Sequence, residues 1–475
     1  MNITVFERNS TAGGRSTTVN AYDDPELPIE LGASIFVKVN SILNDAVKEF
    51  NLSTDEFMPE VDIPGPSLGV WDGQEFVLVM NNGWSDMAKL LWKYGLAPVK
   101  TMRLMRKVIG KFQKMYDKPV FPFESLTQTA RELELLDVTT TTGEQYLKDN
   151  GITGSFGWDV VQASTRVNYA SNLRHIHGLE TMVCMAAEGG MSVQGGNWQI
   201  FDNMIKASNA TALFGTEVKA IEKQDDGTFV LKFEGCNQEM DNRARSEQLF
   251  DAVILAAPNQ FTGLDFSPKL EHPIDEIPYV ELHTTLFTSP HLLSPAFFNL
   301  EEGQAVPRAV LTTLPKNEEP QKGPKGVGSP NFFSISLLRP VTNRHTGAEE
   351  YAYKIFSSEP PNSTFFSNLL GLEEPGDKYA DDIDPRSGVS KKDITWIYRK
   401  LWHSYPYEYP RVTFEEFELE KGLWYTSGMD AFISSMETNA QAGMNVAKLV
   451  VQRDLEVRRN EQEYGFISET TQARA

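Results

Sequence analysis

A carboxylate at the end of a short strand, followed by two glycines and an arginine, is the first group of residues with the chemistry of a binding site. β-Branched and aromatic residues predict a strand over residues 3–7. At its end, Glu7 can accept hydrogen bonds from ribose hydroxyls. Gly14 lets the backbone approach a pyrophosphate, with which the guanidinium of Arg15 can pair. This spacing predicts a binding site for a dinucleotide.

The elements that must position these residues follow from hydrophobic patterning. Helices are predicted over residues 41–50 and 434–453, the second with Glu437 in its first turn. Strands are predicted near residues 69–77, 213–222, 228–234 and 250–257. The last of these is almost entirely apolar, which is typical of a strand covered on both faces of its sheet. Residues 456–475 are predicted to form a flexible tail.

A long basic helix is predicted over residues 84–112, which are rich in Leu, Met, Lys and Arg. Such a helix fits two environments: a membrane surface, or solvent on one face and its own domain on the other. The acidic composition of the whole chain favours the second environment. Peripheral contact with a membrane stays open as the alternative.

Length and composition set further bounds. A chain of 475 residues exceeds what one hydrophobic core usually serves, so two domains are expected. The net charge of −21 argues against nucleic acid and anionic membrane surfaces as partners, because binding to either needs clustered Lys and Arg. Cys184 and Cys236 are too few for a disulfide framework and lack the spacing of a zinc site, although one bridge between them stays open. No apolar run is long enough to cross a bilayer.

The segment Val5-Phe6-Glu7-Arg8-Asn9-Ser10-Thr11-Ala12-Gly13-Gly14-Arg15-Ser16 resembles the second strand and following loop of the glutathione-reductase-like FAD proteins. Further resemblances follow in the order that this fold requires, at residues 30–36, 217–218, 251–258 and 428–440. They imply an α/β fold with a Rossmann-type FAD-binding domain, and FAD as the cofactor. By this resemblance the residues that bind FAD are Glu7, Arg8, Gly14, Arg15, Ser34, Val218, Gly428, Met436, Glu437 and Thr438.

Two middle segments narrow the resemblance. Arg166-Val167-Asn168-Tyr169 and the Gly-Gly-Met-Ser-Val-Gln-Gly-Gly-Asn run at residues 189–197 are similar to the prenylcysteine oxidase (prenylcysteine lyase) family. That family oxidises the thioether of farnesyl- or geranylgeranyl-cysteine with oxygen, releasing cysteine, a prenyl aldehyde and hydrogen peroxide. The resemblance implies an FAD-binding domain of residues 1–58, 191–262 and 412–455. Residues 59–190 and 263–411 then form an α+β substrate domain.

The implied substrate directs attention to further side chains. A prenyl chain needs an apolar channel, which aromatic residues suit, although each also suits an ordinary core. The aromatic candidates are Tyr169, Trp198 and Tyr405. Arg166 either contacts the substrate carboxylate or forms a surface ion pair. Histidines that could assist attack by water are commonly structural, so no general base is assigned. The histidine candidates are His175, His177 and His403.

The first strand, glycine loop and helix of the implied fold have no counterpart in the sequence, which contains no GxGxxG. We expect this first βα unit, together with any secretory signal, upstream of Met1. Without that helix start the pyrophosphate lacks its main anion site. Two alternatives to a prenylcysteine oxidase stay open: an amine or polyamine oxidase on the same fold, and a protein that has lost FAD and binds lipids or partners.

The resemblance also implies a compartment. It places the protein in the lysosome, the vacuole or the secretory pathway. Asn-x-Ser/Thr sequons, which are used only in secretory compartments, fit this expectation. They begin at Asn2, Asn9, Asn51, Asn209 and Asn362.

Overall fold

The computed structural model describes residues 1–56, 63–81, 83–187, 189–236, 246–372 and 382–472. The strands in these ranges are β1 Thr4–Glu7, β2 Thr18–Asn20, β3 Pro28–Glu30, β4 Thr54–Glu56, β5 Leu68–Trp71, β6 Phe76–Met80, β7 Met191–Val193, β8 Thr211–Phe214, β9 Thr216–Lys223, β10 Phe229–Gly235, β11 Ser246–Phe250, β12 Val253–Leu255, β13 Asp265–Ser267, β14 Tyr279–Ser289, β15 Ala309–Thr312, β16 Ser334–Thr342, β17 Glu349–Ser357, β18 Trp396–Pro406, β19 Glu418–Glu420 and β20 Leu423–Tyr425. The α-helices are α1 Ser41–Glu49, α2 Trp84–Tyr94, α3 Ala97–Phe112, α4 Leu126–Glu132, α5 Leu136–Thr139, α6 Gly143–Asp149, α7 Gln162–Tyr169, α8 Gly178–Met185, α9 Trp198–Ala207, α10 Ser363–Leu370 and α11 Met436–Gln472.

Two small parallel pairings bring the chain start and the chain end to the same region. β1 pairs in parallel with β8, and β12 pairs in parallel with β20, to which β19 adds an antiparallel edge. A second sheet in the order β11–β10–β9–β13 packs over them. Phe6 joins the buried core of Ile221, Phe229 and Leu423 between these layers. Parallel strands, antiparallel strands and helices are therefore combined in a mixed α/β fold.

The largest sheet has seven strands in the order β18–β14–β17–β16–β15–β5–β6. All its pairings are antiparallel except the parallel pair of β15 and β5. One face packs on α10 through a core that includes Phe287, Tyr353 and Phe366. The sheet takes strands from both segments of the predicted substrate domain. The domain boundaries themselves stay a prediction.

The helices form a separate layer. α3, α8 and α11 share an apolar core that includes Val108, Leu179 and Val446. The final helix begins at Met436 and continues to Gln472, so its backbone is helical past residue 456, where the flexible tail was predicted to begin.

The predicted single helix over residues 84–112 is wrong in one respect: the chain breaks it into α2 and α3. Gly95 adopts a φ of 59°, a conformation that L-residues with side chains rarely take, and this ends α2. Pro98 then lies in the first turn of α3, where a missing N–H costs nothing.

The apolar run at residues 250–257 also differs from its prediction. Only Val253–Leu255 form strand β12, and Ile254 is 46% exposed between two buried neighbours. One face of β12 is covered, and the other opens onto a cavity. The described residues therefore cover one face of this apolar strand, whereas the sequence predicted that both faces are covered.

The two cysteines are unpaired, and the described helices include no candidate membrane span. Cys184 is buried, Cys236 is exposed, and both are free thiols, so the bridge left open by the sequence is not formed. Among the described residues, no helix combines the length and the apolar character needed to cross a membrane.

Candidate functional site

A cavity of about 3720 Å³ lies where the parallel strands, the start of α11 and the seven-stranded sheet meet. β1 and β12 form one wall, and residues of β14, β16, β17 and β18 form another. Ligand pockets are commonly about 300–1,000 Å³, so this space exceeds what one ligand fills. The predicted binding residues can be placed against its walls.

Most of the predicted cofactor-binding residues line this cavity. They are Glu7, Arg8, Gly14, Arg15, Ser34, Val218 and Met436. At the end of β1, Oε1 of Glu7 accepts a hydrogen bond from the backbone N–H of Asn9 at 2.7 Å, which holds the carboxylate at the cavity wall. Nη1 of Arg8 donates to the carbonyl oxygen of Phe261 at 3.2 Å. The motif after the first described strand is therefore assembled as a wall of one site.

The glycine pair has the backbone shape that the motif requires. Gly13 has a φ of 113°, and a Cβ there would lie 2.3 Å from the carbonyl oxygen of Ser16. Gly14 lines the cavity, and apart from its own chain neighbours no protein atom lies within 4 Å of the position its Cβ would occupy. The bare backbone at Gly14 thus leaves room for a ligand to approach closely.

Arg15 does not have the free guanidinium that pairing with a pyrophosphate predicts. Its Nη2 donates to both carboxylate oxygens of Asp430, at 3.0 and 2.8 Å, and Nη1 donates to the carbonyl oxygen of Ser404 at 2.9 Å. Asp430 is fully buried, and a buried carboxylate needs such a partner. The guanidinium therefore ties the glycine turn to the segment before α11.

Asp430 is a residue whose importance the sequence did not reveal. Besides Arg15, three side chains donate to its carboxylate at 2.9–3.3 Å. They are Tyr279, Asn439 and Ser434. The signal available in the sequence was its place two residues after Gly428, in the motif at residues 428–440. Two of its partners, Arg15 and Tyr279, could not be identified without the fold, because they are 415 and 151 residues away in the chain.

Three predicted cofactor-binding residues lie outside the cavity lining. The Glu437 carboxylate accepts hydrogen bonds from the backbone N–H groups of Ile42 at 3.0 Å and Leu43 at 3.1 Å, so it caps the start of α1. The Thr438 hydroxyl donates to the carbonyl oxygen of Ile433 at 2.7 Å and accepts from the backbone N–H of Ser435 at 3.1 Å, so it holds the start of α11 itself. Gly428 is buried against Glu415. These positions shape the site from behind, whereas Ser435 and Met436 face it.

Arg166, the predicted contact for a substrate carboxylate, is fully buried and does not line the cavity. Its nitrogens donate to carbonyl and side-chain oxygens at 2.7–3.0 Å. The acceptors belong to Thr312, Asn172, Gly326 and Val327. Burial without a carboxylate partner at contact distance lowers the pKa of Arg166 to about 9. Neither interpretation from the sequence is right: the residue fastens α7 to the loop before β16.

The aromatic candidates divide between cavity and scaffold. Tyr169 and Tyr405 line the cavity, with ring centroids 5.1 Å apart. Trp198 does not line it, since its indole donates to the carbonyl oxygen of Gly195 at 3.1 Å and its Cβ packs against Gly13. The wall near the tyrosines is otherwise largely apolar. It includes Leu282, Leu338, Phe356 and Trp402.

Of the three histidine candidates, His403 lines the cavity, where it stacks on Phe261 with ring centroids 4.4 Å apart. His175 is hydrogen-bonded to the carbonyl oxygen of Pro320 at 3.0 Å, away from the cavity lining. His177 is fully buried, and its Nδ1 accepts from the backbone N–H of Glu180 at 3.0 Å, capping α8. The structure therefore leaves His403 as the histidine placed to meet a ligand.

His177, Glu180 and Glu408 form a buried cluster behind Tyr169, with their nitrogen and carboxylate atoms within 4.8 Å of one another. Because Nδ1 of His177 accepts a hydrogen bond, the ring proton lies on Nε2, 3.4 Å from Oε2 of Glu408. In this tautomer neither ring nitrogen of His177 has a lone pair free to ligate a metal. Burial lowers the pKa of His177 to about 4. Burial and the nearby Glu408 raise the pKa of Glu180 to about 8.

Tyr169 connects this cluster to the cavity. Its hydroxyl donates to the carbonyl oxygen of Ser434 at 2.9 Å and is hydrogen-bonded to the Glu180 side chain. Oε2 of Glu180 in turn accepts a hydrogen bond from the backbone N–H of Ser434 at 3.3 Å. Contacts through Tyr169 and Ser434 thus connect the cavity wall to the buried Glu180.

Lys354 is the cavity residue that sequence reasoning missed most clearly. It lies on β17, and its Nζ donates to the carbonyl oxygen of Glu30 at 2.8 Å and to Oγ of Ser34 at 2.7 Å. Burial lowers the pKa of Lys354 and raises the pKa of Glu30. The available signal was a lysine within the apolar run Tyr-Ala-Tyr-Lys-Ile-Phe at residues 351–356, since lysines are seldom buried without a role.

The open edges of β1 and β12 are the least expected part of the site. Within the described ranges, β1 pairs with β8 alone, and β12 pairs with β20 alone. Both strands line the cavity. The cavity, which is larger than an ordinary ligand pocket, is therefore bordered by the unpaired edges of β1 and β12.

Comparison with known proteins shows the family to which the chain belongs. A family model described as prenylcysteine lyase matches residues 79–462. The chain belongs to the prenylcysteine lyase family. The family predicted from the sequence is thereby confirmed. Farnesylcysteine lyase of Arabidopsis thaliana is 26% identical over 470 residues, which cover 95% of this chain and 82% of that protein. Prenylcysteine oxidase 1 of Rattus norvegicus is 26% identical over 471 residues, which cover 95% of this chain and 84% of that protein.

Solved structures confirm the predicted fold class for this family member. A triple mutant of putrescine oxidase matches with a TM-score of 0.53 at 11% identity, over 94% of this chain and 93% of that protein. Cyclohexylamine oxidase from Brevibacterium oxydans matches with a TM-score of 0.52 at 14% identity, over 95% of this chain and 93% of that protein. At such identities the similarity concerns the fold alone.

Proposed function

We infer that this member of the prenylcysteine lyase family is an FAD-dependent oxidoreductase that cleaves the thioether of farnesyl- or geranylgeranyl-cysteine. The observation that carries the inference is one cavity with two kinds of wall. Glu7, Gly14 and the start of α11 form a polar wall suited to a dinucleotide, and Tyr169 and Tyr405 belong to an apolar wall suited to an isoprenoid. The names of the relatives in Arabidopsis thaliana and Rattus norvegicus support the same substrate class.

The residues present fit FAD at its two ends. Glu7 would hold the ribose hydroxyls, the bare backbone of Gly14 would lie against the cofactor, and the N–H groups at the start of α11 would face the flavin. Between these ends the described residues present the open edges of β1 and β12 in place of a glycine loop. Bound FAD supplies a two-electron acceptor, with molecular oxygen as the final acceptor.

The chain's own residues then have three tasks. The apolar wall around Phe356 and Trp402 would bind the prenyl chain and orient the carbon next to sulfur. That carbon loses a hydride, water adds to it with release of a proton, and the resulting hemithioacetal breaks into the aldehyde and the cysteine thiol. Lys354 and His403 are titratable groups on the cavity wall that can accept or return the proton.

The test uses the full chain, purified and supplied with FAD. We expect a flavin absorbance spectrum that persists after gel filtration, and hydrogen peroxide released with farnesylcysteine but not with spermine. Protein that stays colourless after FAD is added would contradict FAD binding and favour a lipid-binding or interaction protein. Peroxide released with spermine alone would favour an amine oxidase.

The compartment belongs to the same proposal. A lysosomal, vacuolar or secretory setting is supported by five sequons whose asparagines are all exposed. Asn51 and Asn209 each have a φ of 53°, which is typical of tight surface turns. Oligosaccharyltransferase acts on such accessible asparagines.

A further inference from the structure

The hairpin of α2 and α3 exposes more apolar surface than the folding of the chain explains. Four large side chains on α2 and the turn after it are exposed: Met87 by 48%, Leu91 by 37%, Trp92 by 91% and Leu96 by 66%. We call these four residues the α2 patch. A soluble surface seldom exposes a tryptophan so completely, and contiguous apolar groups of this kind mark interaction sites.

The charge around the α2 patch has the opposite sign to the rest of the protein. Residues 87–116 contain eight Lys and Arg residues and no Asp or Glu, in a chain with a net charge of −21. Arg103, Arg106 and Lys107 lie on the exposed face of α3, whose opposite face packs into the helical core. Lys89 and Lys93 flank the patch, but each is paired with a buried acid, Asp86 at 3.3 Å and Asp159 at 3.6 Å. The exposed basic charge of the hairpin therefore lies mainly on α3, the helix that follows the patch.

We propose that the α2–α3 hairpin docks this protein on anionic lipid membranes. Trp92 and Leu96 would enter the boundary between headgroups and acyl chains, and Arg103, Arg106 and Lys107 would meet the anionic headgroups. The acidic remainder of the protein is repelled by such a surface, which selects this one orientation. The purpose of such docking rests on the proposed function: a prenyl substrate partitions into membranes, so an enzyme that acts on it gains by binding there.

The shape of the α2–α3 surface favours a membrane over an acidic protein as the partner. The apolar side chains project from one convex helix and the turn after it, and are not recessed in a groove, while long cationic side chains flank them. Long basic side chains can bury their stems along an interface while keeping their charge among headgroups. A second copy of this chain would have to place one basic hairpin against another, at a cost in repulsion.

The experiment is flotation of the full chain with vesicles of phosphatidylcholine alone and of phosphatidylcholine with phosphatidylserine, at low and high salt. We expect binding to the mixed vesicles that weakens with salt. Trp92→Ser with Leu96→Ser, and separately Arg103→Glu with Arg106→Glu, should each lower the bound fraction about tenfold or more. Trp92→Phe should keep binding but remove the blue shift in tryptophan fluorescence that binding causes.

Matched controls lie elsewhere on the surface. Leu292→Ser removes another exposed leucine, and Lys269→Glu reverses another exposed cation. Both should bind vesicles like the unmodified protein. Absence of binding to mixed vesicles, or equal losses in the controls, would overturn the proposal. Dimers that are lost in the Trp92 variant, without vesicle binding, would overturn it in favour of a second copy. Because no substrate is present, these outcomes are independent of peroxide release from farnesylcysteine.

Discussion

At the scale of single residues, the chemistry of the site depends on polar groups that burial has changed. Lys354 and Glu30 have pKa values moved toward each other by burial, and His177, Glu180 and Glu408 share a dry cluster. Groups of this kind are common at active sites, because proton transfer works best when the pKa lies near the working pH. Lys354 differs from the buried cluster in lining the cavity directly.

Lys354→Met should lower the rate of farnesylcysteine oxidation by about 100-fold. Methionine retains much of the lysine's volume but removes the amine that Glu30 and Ser34 hold at the wall. The measurement is kcat as a function of pH. Since burial lowers the pKa of Lys354, the limb of the profile that it causes should lie below the ordinary lysine range and vanish in the variant. Lys400→Met, another lysine on the cavity wall, is the control and should retain activity within a few-fold.

Glu180→Gln should make stability depend less on pH. Burial raises the pKa of Glu180 to about 8, so between its ordinary value and about 8 the folded state keeps a proton that the unfolded state releases. Stability from this group is therefore complete at low pH and falls as pH rises, by at most about 1.4 kcal/mol per pH unit. His177, whose pKa burial lowers to about 4, acts in the opposite direction only below about pH 6.5.

The free energy of unfolding in urea should therefore be compared between Glu180→Gln and the unmodified protein from pH 6.5 to pH 8. The Gln variant should lose part of the decline, and Glu408, whose pKa burial also raises, should account for what remains. Tyr169 faces the same cluster, and because burial raises the pKa of its hydroxyl, it stays neutral across this range. Glu132→Gln, an exposed acid on α4, should reproduce the unmodified slope. A Gln variant with an unchanged slope would refute the raised pKa of Glu180.

At the scale of elements, the start of α11 organises its surroundings through side-chain caps. Glu437 was predicted to bind the cofactor, but its carboxylate accepts from Ile42 and Leu43 at the start of α1. The sequence could place Glu437 in a first helical turn, because that depends on neighbours in the chain. It could not reveal that the Glu437 carboxylate caps a different helix, α1, since its partners are 395 and 394 residues away.

Glu437→Ala should destabilise the fold by about 2–3 kcal/mol, because two backbone N–H groups lose a charged acceptor in a buried setting. The free energy of unfolding in urea measures this. Asp45→Ala on α1 removes an acid whose ion pair with Lys48 is exposed, and should change stability by less than about 0.5 kcal/mol. Equal effects of the two substitutions would show that the cap does not hold α1.

At the scale of the whole molecule, the order of motifs predicted the fold better than it predicted the site. The strand before Gly13-Gly14, the helix after residue 40 and the closing helix are local patterns, and all three are present. The role of Arg166 was predicted wrongly and Lys354 was missed, because their surroundings are assembled from segments far apart in the chain and composition does not reveal burial. The net charge of −21 also conceals the local basic run in residues 87–116.

Whole-molecule surface exposure predicts where glycans attach. In protein isolated from its source cells, treatment with an N-glycosidase should convert Asn51 and Asn209 to aspartate, as read by peptide mass spectrometry. Both asparagines are exposed at surface turns, whereas Asn2 and Asn9 line the cavity. The peptides carrying Asn2 and Asn9 therefore serve as internal controls and should stay unmodified. Unmodified asparagine at all five sequons, Asn362 included, would argue against a secretory compartment.

The open edges of β1 and β12 give the molecule a built-in reporter of occupancy. Backbone N–H groups that donate to a neighbouring strand exchange with deuterium only when that strand separates, whereas N–H groups on an unpaired edge exchange from the native state. Along β1 and β12, amides directed toward β8 and β20 should therefore exchange slowly, and those directed into the cavity should exchange quickly. Whatever fills the cavity will then be seen as slowed exchange on alternate residues of two short strands.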